Sequence, residues 1–184
     1  MMPLNNIMTC QSPEEIEIFK KELSKIGGWN LAEVGVYMGG TAVLMAEMYP
    51  NKEIYLFDTF EGLPYVEEED RITYPLSVGM MKEATYEIAQ KNLGQYKNVH
   101  IYKGIFPETS EPIKDKKFSF VHLDVDTYKG TRDTLDFFYS RTKGIIVVHD
   151  YGWYKGVSRA VDEFCEIYNL KVEKCGIRQG IIRL

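Results

Sequence analysis

Apolar positions along this chain follow two rhythms. After Ser12-Pro13-Glu14-Glu15, the residues Ile16, Phe19, Leu23 and Ile26 recur every three or four positions, the spacing that places side chains on one face of an α-helix. A Ser before the run, Pro at its first position and acids in its first turn predict where the helix starts, and Gly27-Gly28 predicts where it stops. Beyond it, short continuous apolar runs alternate with helical patterns. "NLAEVGV" reads as a strand, "TAVLMAEMY" as a helix and "KEIYLFD" as a strand. "MMKEATYEIAQKNLG" reads as a helix, followed by strands in "VHIYKG" and "KFSFVHLDVD". "TRDTLDFFYSR" is a predicted helix, "GIIVVHD" a strand and "GVSRAVDEFCEIYN" the last helix. The chain closes with "LKVEKCG" and "QGIIRL", separated by a tight turn.

Strands alternating with helices predict a parallel sheet covered on both faces. The unbroken runs "GIIVV" and "FSFVHL" fit strands buried on both sides. The final two strands are too close in sequence for a crossover, so they form an antiparallel hairpin. The expected fold is α/β: a mostly parallel seven-stranded sheet with a C-terminal antiparallel hairpin and helices on both faces, the Rossmann-like layout of class I methyltransferases. Residues 1–184 are expected to form one domain, with 1–29 as a helical leader.

Composition narrows the partners. The 184 residues are 45% hydrophobic and 27% charged, ordinary for a chain with a sizeable core. Net charge is −5 with no long basic run, which argues against a nucleic-acid partner. No apolar run reaches membrane-spanning length, and the N-terminus lacks a signal-peptide pattern, so no membrane association is expected. Cys10, Cys165 and Cys175 are odd in number and form no CxxC, the usage of reduced thiols in a cytoplasmic protein.

In open α/β sheets ligands bind beyond the carboxyl ends of the strands, near the switch in strand order. Most of the unusual polar chemistry falls there. The first strand of the sheet leads into Glu33-x-Gly35-x-x-x-Gly39-Gly40, where glycines allow a ligand to approach the backbone. This is not GxGxxG, which weakens a nicotinamide-dinucleotide reading. Asp58, at the end of the next strand, stands where an acid can accept hydrogen bonds from ribose hydroxyls, with Thr59 beside it. Together, glycine turn and acid point to a nucleoside-containing cofactor. The third strand runs into Gly104, Ile105 and Phe106, the fourth into Asp124 and Asp126, the fifth into His149 and Asp150.

Two segments resemble one family. "YLFDTFEGLP" and "VHLDVDTYKGTRDTLDFFYSRTKGIIVVHDYGWYKGVSRAVDEF" are similar to the signatures of macrocin-type (TylF-like) sugar O-methyltransferases, and the likeness runs from about Ala32 to Phe164. The resemblance implies an S-adenosylmethionine-dependent O-methyltransferase, aided by a divalent metal, acting on a hydroxyl of a small molecule such as a sugar or glycosylated metabolite. Carried onto this chain, the metal ligands are Asp124, His149 and Asp150, and Asp124 is also the general base. The cofactor contacts are Glu33, Gly35, Gly39, Gly40, Asp58, Thr59, Gly104, Phe106 and Asp124.

The chain departs from the family pattern in three places. His149 stands where the family commonly has Asp, which shifts the expected metal from magnesium toward a transition metal such as manganese. The loop before the fifth strand, "RTKGII", is also shorter and carries one Gly where a pair is usual. Only about thirty residues precede the first strand, which implies an open acceptor pocket. Two alternatives stay open: a metal-free methyltransferase with Asp124 or His149 as base, and a non-catalytic nucleoside-binding protein. Asp126 reads either as a support for the site or as the cap of the following helix. His100 and His122 read as structural. "YGWYKG" reads as acceptor-pocket lining or as a surface loop, and "YVEEEDR" as a mobile, solvated acidic loop placed to act as a gate. Oligomeric state is open, with a homodimer among the expectations.

Overall fold

The computed structural model describes residues 2–4 and 7–184. The leader forms strands β1 (Met2–Leu4) and β2 (Ile7–Thr9), paired antiparallel, and helix α1 (Pro13–Leu23). Then follow β3 (Asn30–Val34), α2 (Gly40–Met48), β4 (Ile54–Asp58), α3 (Tyr86–Leu93), β5 (Val99–Lys103) and β6 (Phe118–Leu123). The chain ends with α4 (Tyr128–Tyr139), β7 (Thr142–His149), α5 (Lys155–Ile167), β8 (Val172–Cys175) and β9 (Gln179–Arg183).

Strands β3 to β9 form one seven-stranded sheet in the order β5-β4-β3-β6-β7-β9-β8. The pairs β3–β4, β4–β5, β3–β6 and β6–β7 are parallel, while β9 runs antiparallel to β7 and β8. This is the predicted class I methyltransferase layout. The strand order reverses between β3 and β6, so the crevice at that edge is flanked by the turn after β3 and the acids after β6.

Each sheet face carries its own core. On one, Phe19 and Leu23 of α1, Met45 of α2 and Leu93 of α3 pack against Leu31, Leu56, Phe120 and Val147. On the other, Leu135 and Phe138 of α4 and Val161 and Phe164 of α5 cover Phe57, Val121, Leu123 and Val148. Every residue of β6 is buried, as an unbroken apolar run requires. No helix among the described residues is long and apolar enough to cross a membrane.

The structure corrects four local expectations. The helix expected over "MMKEATYEIAQKNLG" starts only at Tyr86, because the Thr85 hydroxyl caps it by accepting the Ile88 N–H. Helix α4 is capped by Thr127, which accepts the Gly130 N–H, so Asp126 is not the cap. Asp126 has a positive φ of 62°, which turns the chain before the helix begins. "RTKGII" is not a loop: β7 starts at Thr142. A Cβ on Gly144 would lie 2.1 Å from the Ser119 carbonyl oxygen, so this one glycine lets β7 lie against β6. The leader, finally, is not only helical, since β1 and β2 precede α1.

Candidate active site

The turn after β3 is built around close backbone contact. Gly35 adopts φ +88°, and a Cβ there would sit 1.8 Å from the Asp124 carbonyl oxygen on the neighbouring strand. Only glycine fits. The Asp58 carboxylate then fastens this turn. Its Oδ2 accepts the N–H groups of Val36 (2.7 Å) and Tyr37 (2.9 Å), and its Oδ1 accepts that of Phe60 (2.8 Å). Burial pushes the Asp58 carboxyl above its usual value, and the three backbone N–H groups oppose that shift. A cavity opens over this turn, lined by Gly35, Gly40, Asp58, Thr59, Gly104 and Phe106.

Two expected cofactor contacts lie outside that wall. Glu33 is fully buried beneath it, where its Oε1 accepts from Thr41 Oγ1 and meets His122 Nδ1 at 2.7 Å. Burial pushes the Glu33 carboxyl up, against the His122 contact. Thr41, not Glu33, reaches the cavity. Gly39 caps α2 with φ +91° and abuts the Leu93 side chain. His122 is structural, held between Glu33 and Gln11, whose Nε2 lies 3.0 Å from His122 Nε2. His100 lies on the edge strand and pairs with Glu53.

The same cavity is lined by the polar residues that follow β6 and end β7, Asp124, Asp126, His149 and Asp150. Ligand atoms of Asp124, His149 and Asp150 all lie within 4.8 Å of one another. His149 Nδ1 is 2.9 Å from Asp124 Oδ1 and 3.0 Å from Asp150 Oδ2. Burial alone would lower the His149 pKa, yet the two carboxylates hold it well above the usual value. Burial would raise Asp124, but the charge and hydrogen bond of His149, together with the charges of His122 and Arg178, outweigh it and the Asp124 carboxyl sits low. Desolvation and the facing charges of Asp124 and Asp150 push the Asp126 carboxyl well up. The donor set suits a divalent ion: one imidazole, two carboxylates, and a buried Asp150 Oδ1 with no hydrogen-bond partner among the described residues.

Sequence reading missed the residues that reach this cavity from afar. Thr9 and Cys10 come from the leader, and Arg178 from the turn between β8 and β9. Burial and the nearby charges of Asp124 and Asp126 push the Cys10 thiol up to about 12, so it is neutral. Arg178 binds Glu15 through two contacts of 2.9 Å and lies 3.6 Å from Asp150 Oδ1. These residues carry no local motif, and the 163 positions between Glu15 and Arg178 hide the pair from any window of sequence.

The "YVEEEDR" segment is neither solvated throughout nor loose. Asp70 is buried, and its carboxylate accepts the N–H of Tyr128 (2.7 Å) at the start of α4 and of Glu67 (2.9 Å). Glu69 pairs with Arg159 of α5, and the Lys155 N–H donates to Thr73 Oγ1. The loop is thus latched to the starts of both helices that follow the acids. In "YGWYKG", Tyr154 lines the cavity while Trp153 is exposed. A Cβ on Gly156 would lie 2.1 Å from Asp70 Oδ1. Gly156→Ala is therefore expected to eject Asp70 and lower stability by about 1.5–3 kcal/mol, the worth of a hydrogen bond to a charged group. Denaturant unfolding combined with limited proteolysis checks this. Cleavage should appear in residues 66–78, and wild-type resistance would show that the latch does not hold the loop.

The fold has solved relatives at low identity. It superposes on the O-methyltransferase NovP with a TM-score of 0.77 at 21% identity, covering 92% of this chain and 79% of NovP. CalS11, a calicheamicin methyltransferase, follows with a TM-score of 0.72 at 17% identity, covering 92% and 77%. The S-adenosylhomocysteine-bound methyltransferase PaMTH1 of Podospora anserina gives 0.62 at 16% identity, covering 96% and 79%. At such identities these likenesses establish the fold. No curated protein matches the sequence. The family is shown by the sequence itself, which matches the macrocin O-methyltransferase (TylF) family over residues 18–177. A sheet edge with a glycine turn, a carboxylate fastening that turn and an acid cluster in the same cavity agrees with that match, and the chain belongs to the macrocin O-methyltransferase (TylF) family of S-adenosylmethionine-dependent methyltransferases.

Proposed function

We propose that this enzyme transfers the methyl group of S-adenosylmethionine to a hydroxyl of a sugar or a glycosylated small molecule, with Asp124 as the general base. One observation carries the assignment of the base. Among the three clustered residues, Asp124 alone has a substantially accessible side chain, 20% exposed against 2% for His149 and 5% for Asp150. Asp124 is also joined to the cofactor turn, because its N–H donates to the Val34 carbonyl at 2.8 Å and its carbonyl lies against Gly35. The same backbone therefore positions cofactor and base.

The sulfonium makes the methyl carbon electrophilic, and the acceptor hydroxyl is the poor partner. Its oxygen lone pair forms the new O–CH₃ bond as the S–CH₃ bond breaks, and the electron pair of that bond stays on sulfur. The hydroxyl proton passes to an Asp124 carboxylate oxygen. The turn after β3 and Asp58 fix the cofactor, so oxygen, carbon and sulfur are held in line without further loss of freedom. Asp124, His149 and Asp150 would hold a divalent ion, whose positive charge would acidify the acceptor hydroxyl when bound. The sugar acceptor is supported by the family and by the sugar-methylating neighbour CalS11, described as a TDP-rhamnose 3'-O-methyltransferase.

The test is product analysis after incubation with methyl-labelled S-adenosylmethionine and a panel of nucleotide sugars and glycosides. Label on a sugar oxygen supports the reading; S-adenosylhomocysteine binding with no transfer across the panel favours a non-catalytic nucleoside-binding protein. A second expectation concerns the ion. With an imidazole in the donor set, chelator-treated enzyme should regain more activity with manganese than with magnesium, and His149→Asp should reverse the order. Full activity after chelation, with an unchanged metal response in the variant, would leave the metal-free mechanism in its place.

A further inference from the structure

The far nitrogen of His149 lacks a hydrogen-bond partner among the described residues. Nδ1 faces Asp124 and Asp150, while Nε2, the far nitrogen, is buried. The group nearest to it in charge terms is the Glu15 carboxylate, whose Oε2 lies 3.7 Å away. That is longer than a hydrogen bond, and a small rotation of either side chain closes it.

Glu15 is held there by more than helix formation needs. Its N–H donates to Ser12 Oγ at 3.3 Å and its Oε2 accepts the Ser12 N–H at 2.7 Å, the reciprocal cap of α1. The same carboxylate takes both arms of the Arg178 guanidinium, each at 2.9 Å. Arg178 in turn stands 3.6 Å from Asp150 and donates to the Cys10 carbonyl at 3.3 Å. A buried carboxylate on the leader is thereby kept ionised and locked against the back of an imidazole whose front faces two acids. Imidazoles that serve a site are commonly oriented by a carboxylate on the opposite nitrogen.

We propose that Glu15 is a positioning residue for His149: it accepts the Nε2–H and so aims Nδ1 at Asp124 and Asp150. The inference rests on the reading of these three residues as the reactive end of the cavity. It makes the N-terminal leader part of the active centre, with Arg178 as the brace that holds Glu15. The leader, through Glu15, and the last hairpin, through Arg178, together supply the support that this imidazole requires.

Three variants test it: Glu15→Gln, Glu15→Asp and Ser12→Ala. The last removes one half of the helix cap without touching the face toward His149. The first readout is the His149 Nε2–H resonance and its exchange with solvent, followed by NMR in metal-free protein. Glu15→Gln should move that resonance and speed its exchange, Glu15→Asp should do so less, and Ser12→Ala should leave both unchanged while lowering the melting temperature. The second readout is manganese affinity by electron paramagnetic resonance, which should fall about 10–100-fold in Glu15→Gln. A resonance and exchange rate in Glu15→Gln equal to wild type, or an equal change in Ser12→Ala, overturns the proposal. Should Glu15→Gln fail to fold, Glu15→Asp decides by the same signs. Wild-type protein that binds no manganese counts against the ion and not against Glu15, because the NMR readout is taken without metal.

Discussion

Replacing Asp124 by asparagine is expected to lower methyl transfer by about 10²–10⁴-fold, the usual worth of a general base, while S-adenosylhomocysteine affinity stays close to wild type. Asparagine keeps the size of the side chain and the backbone contacts that matter to the cofactor. The Asp124 N–H still donates to Val34, and its carbonyl still lies against Gly35. The carboxylate is lost, and with it the acceptor for the hydroxyl proton. His149 Nδ1 also loses a charged partner at 2.9 Å, so the variant removes both functions assigned to this residue. Single-turnover rates with labelled cofactor, together with calorimetric titration, separate chemistry from binding. A rate within a few-fold of wild type would make Asp124 a structural residue and pass the role of base elsewhere.

The second large effect is expected at Asp58. Its carboxylate holds the N–H groups of Val36, Tyr37 and Phe60, and in the proposed site its remaining lone pairs would accept hydrogen bonds from the ribose hydroxyls. Asp58→Ala should therefore weaken S-adenosylhomocysteine by at least about 1.5–3 kcal/mol and also destabilise the free protein by about 3 kcal/mol or more, since three backbone donors lose a charged acceptor. Asp58→Asn distinguishes the duties, because it keeps one acceptor oxygen for the turn. That variant should fold with a smaller loss of stability and still bind the cofactor poorly. Wild-type affinity in a folded Asp58→Asn protein would remove the ribose contact from the account and leave Asp58 as a fastener of the turn.

Much of the site is legible in the amino-acid sequence, for a topological reason. In a parallel sheet all carboxyl ends lie on one edge, so the residues that end successive apolar runs must converge. Asp58, Asp124, His149 and Asp150 are legible on that ground, and the fold follows from the same alternation. What is not legible depends on contacts far apart in sequence. Asp70 sits in an acidic run that reads as solvated, and its long-range contact, the Tyr128 N–H 58 positions on, is what no local pattern shows. Glu33 ends a strand like the others, but its side chain lies under the sheet edge against His122, on the strand beside it. Asp126 and Thr127 are both competent caps, and the positive φ at Asp126 decides between them. The three-residue strands of the leader are too short to show a period. Glu15 reads as a first-turn acid of α1; it also closes the cap with Ser12, and nothing nearby announces its partner Arg178.

The measurement that tests the central claim most directly is a crystal structure of the enzyme soaked with S-adenosylhomocysteine and manganese, with the ion located by its anomalous signal. The account predicts ribose hydroxyls within hydrogen-bond distance of the Asp58 carboxylate, the sulfur at the Asp124 end of the same cavity, and an anomalous peak among Asp124, His149 and Asp150. A cofactor bound with its ribose away from Asp58, or with its sulfur turned away from Asp124, would contradict it.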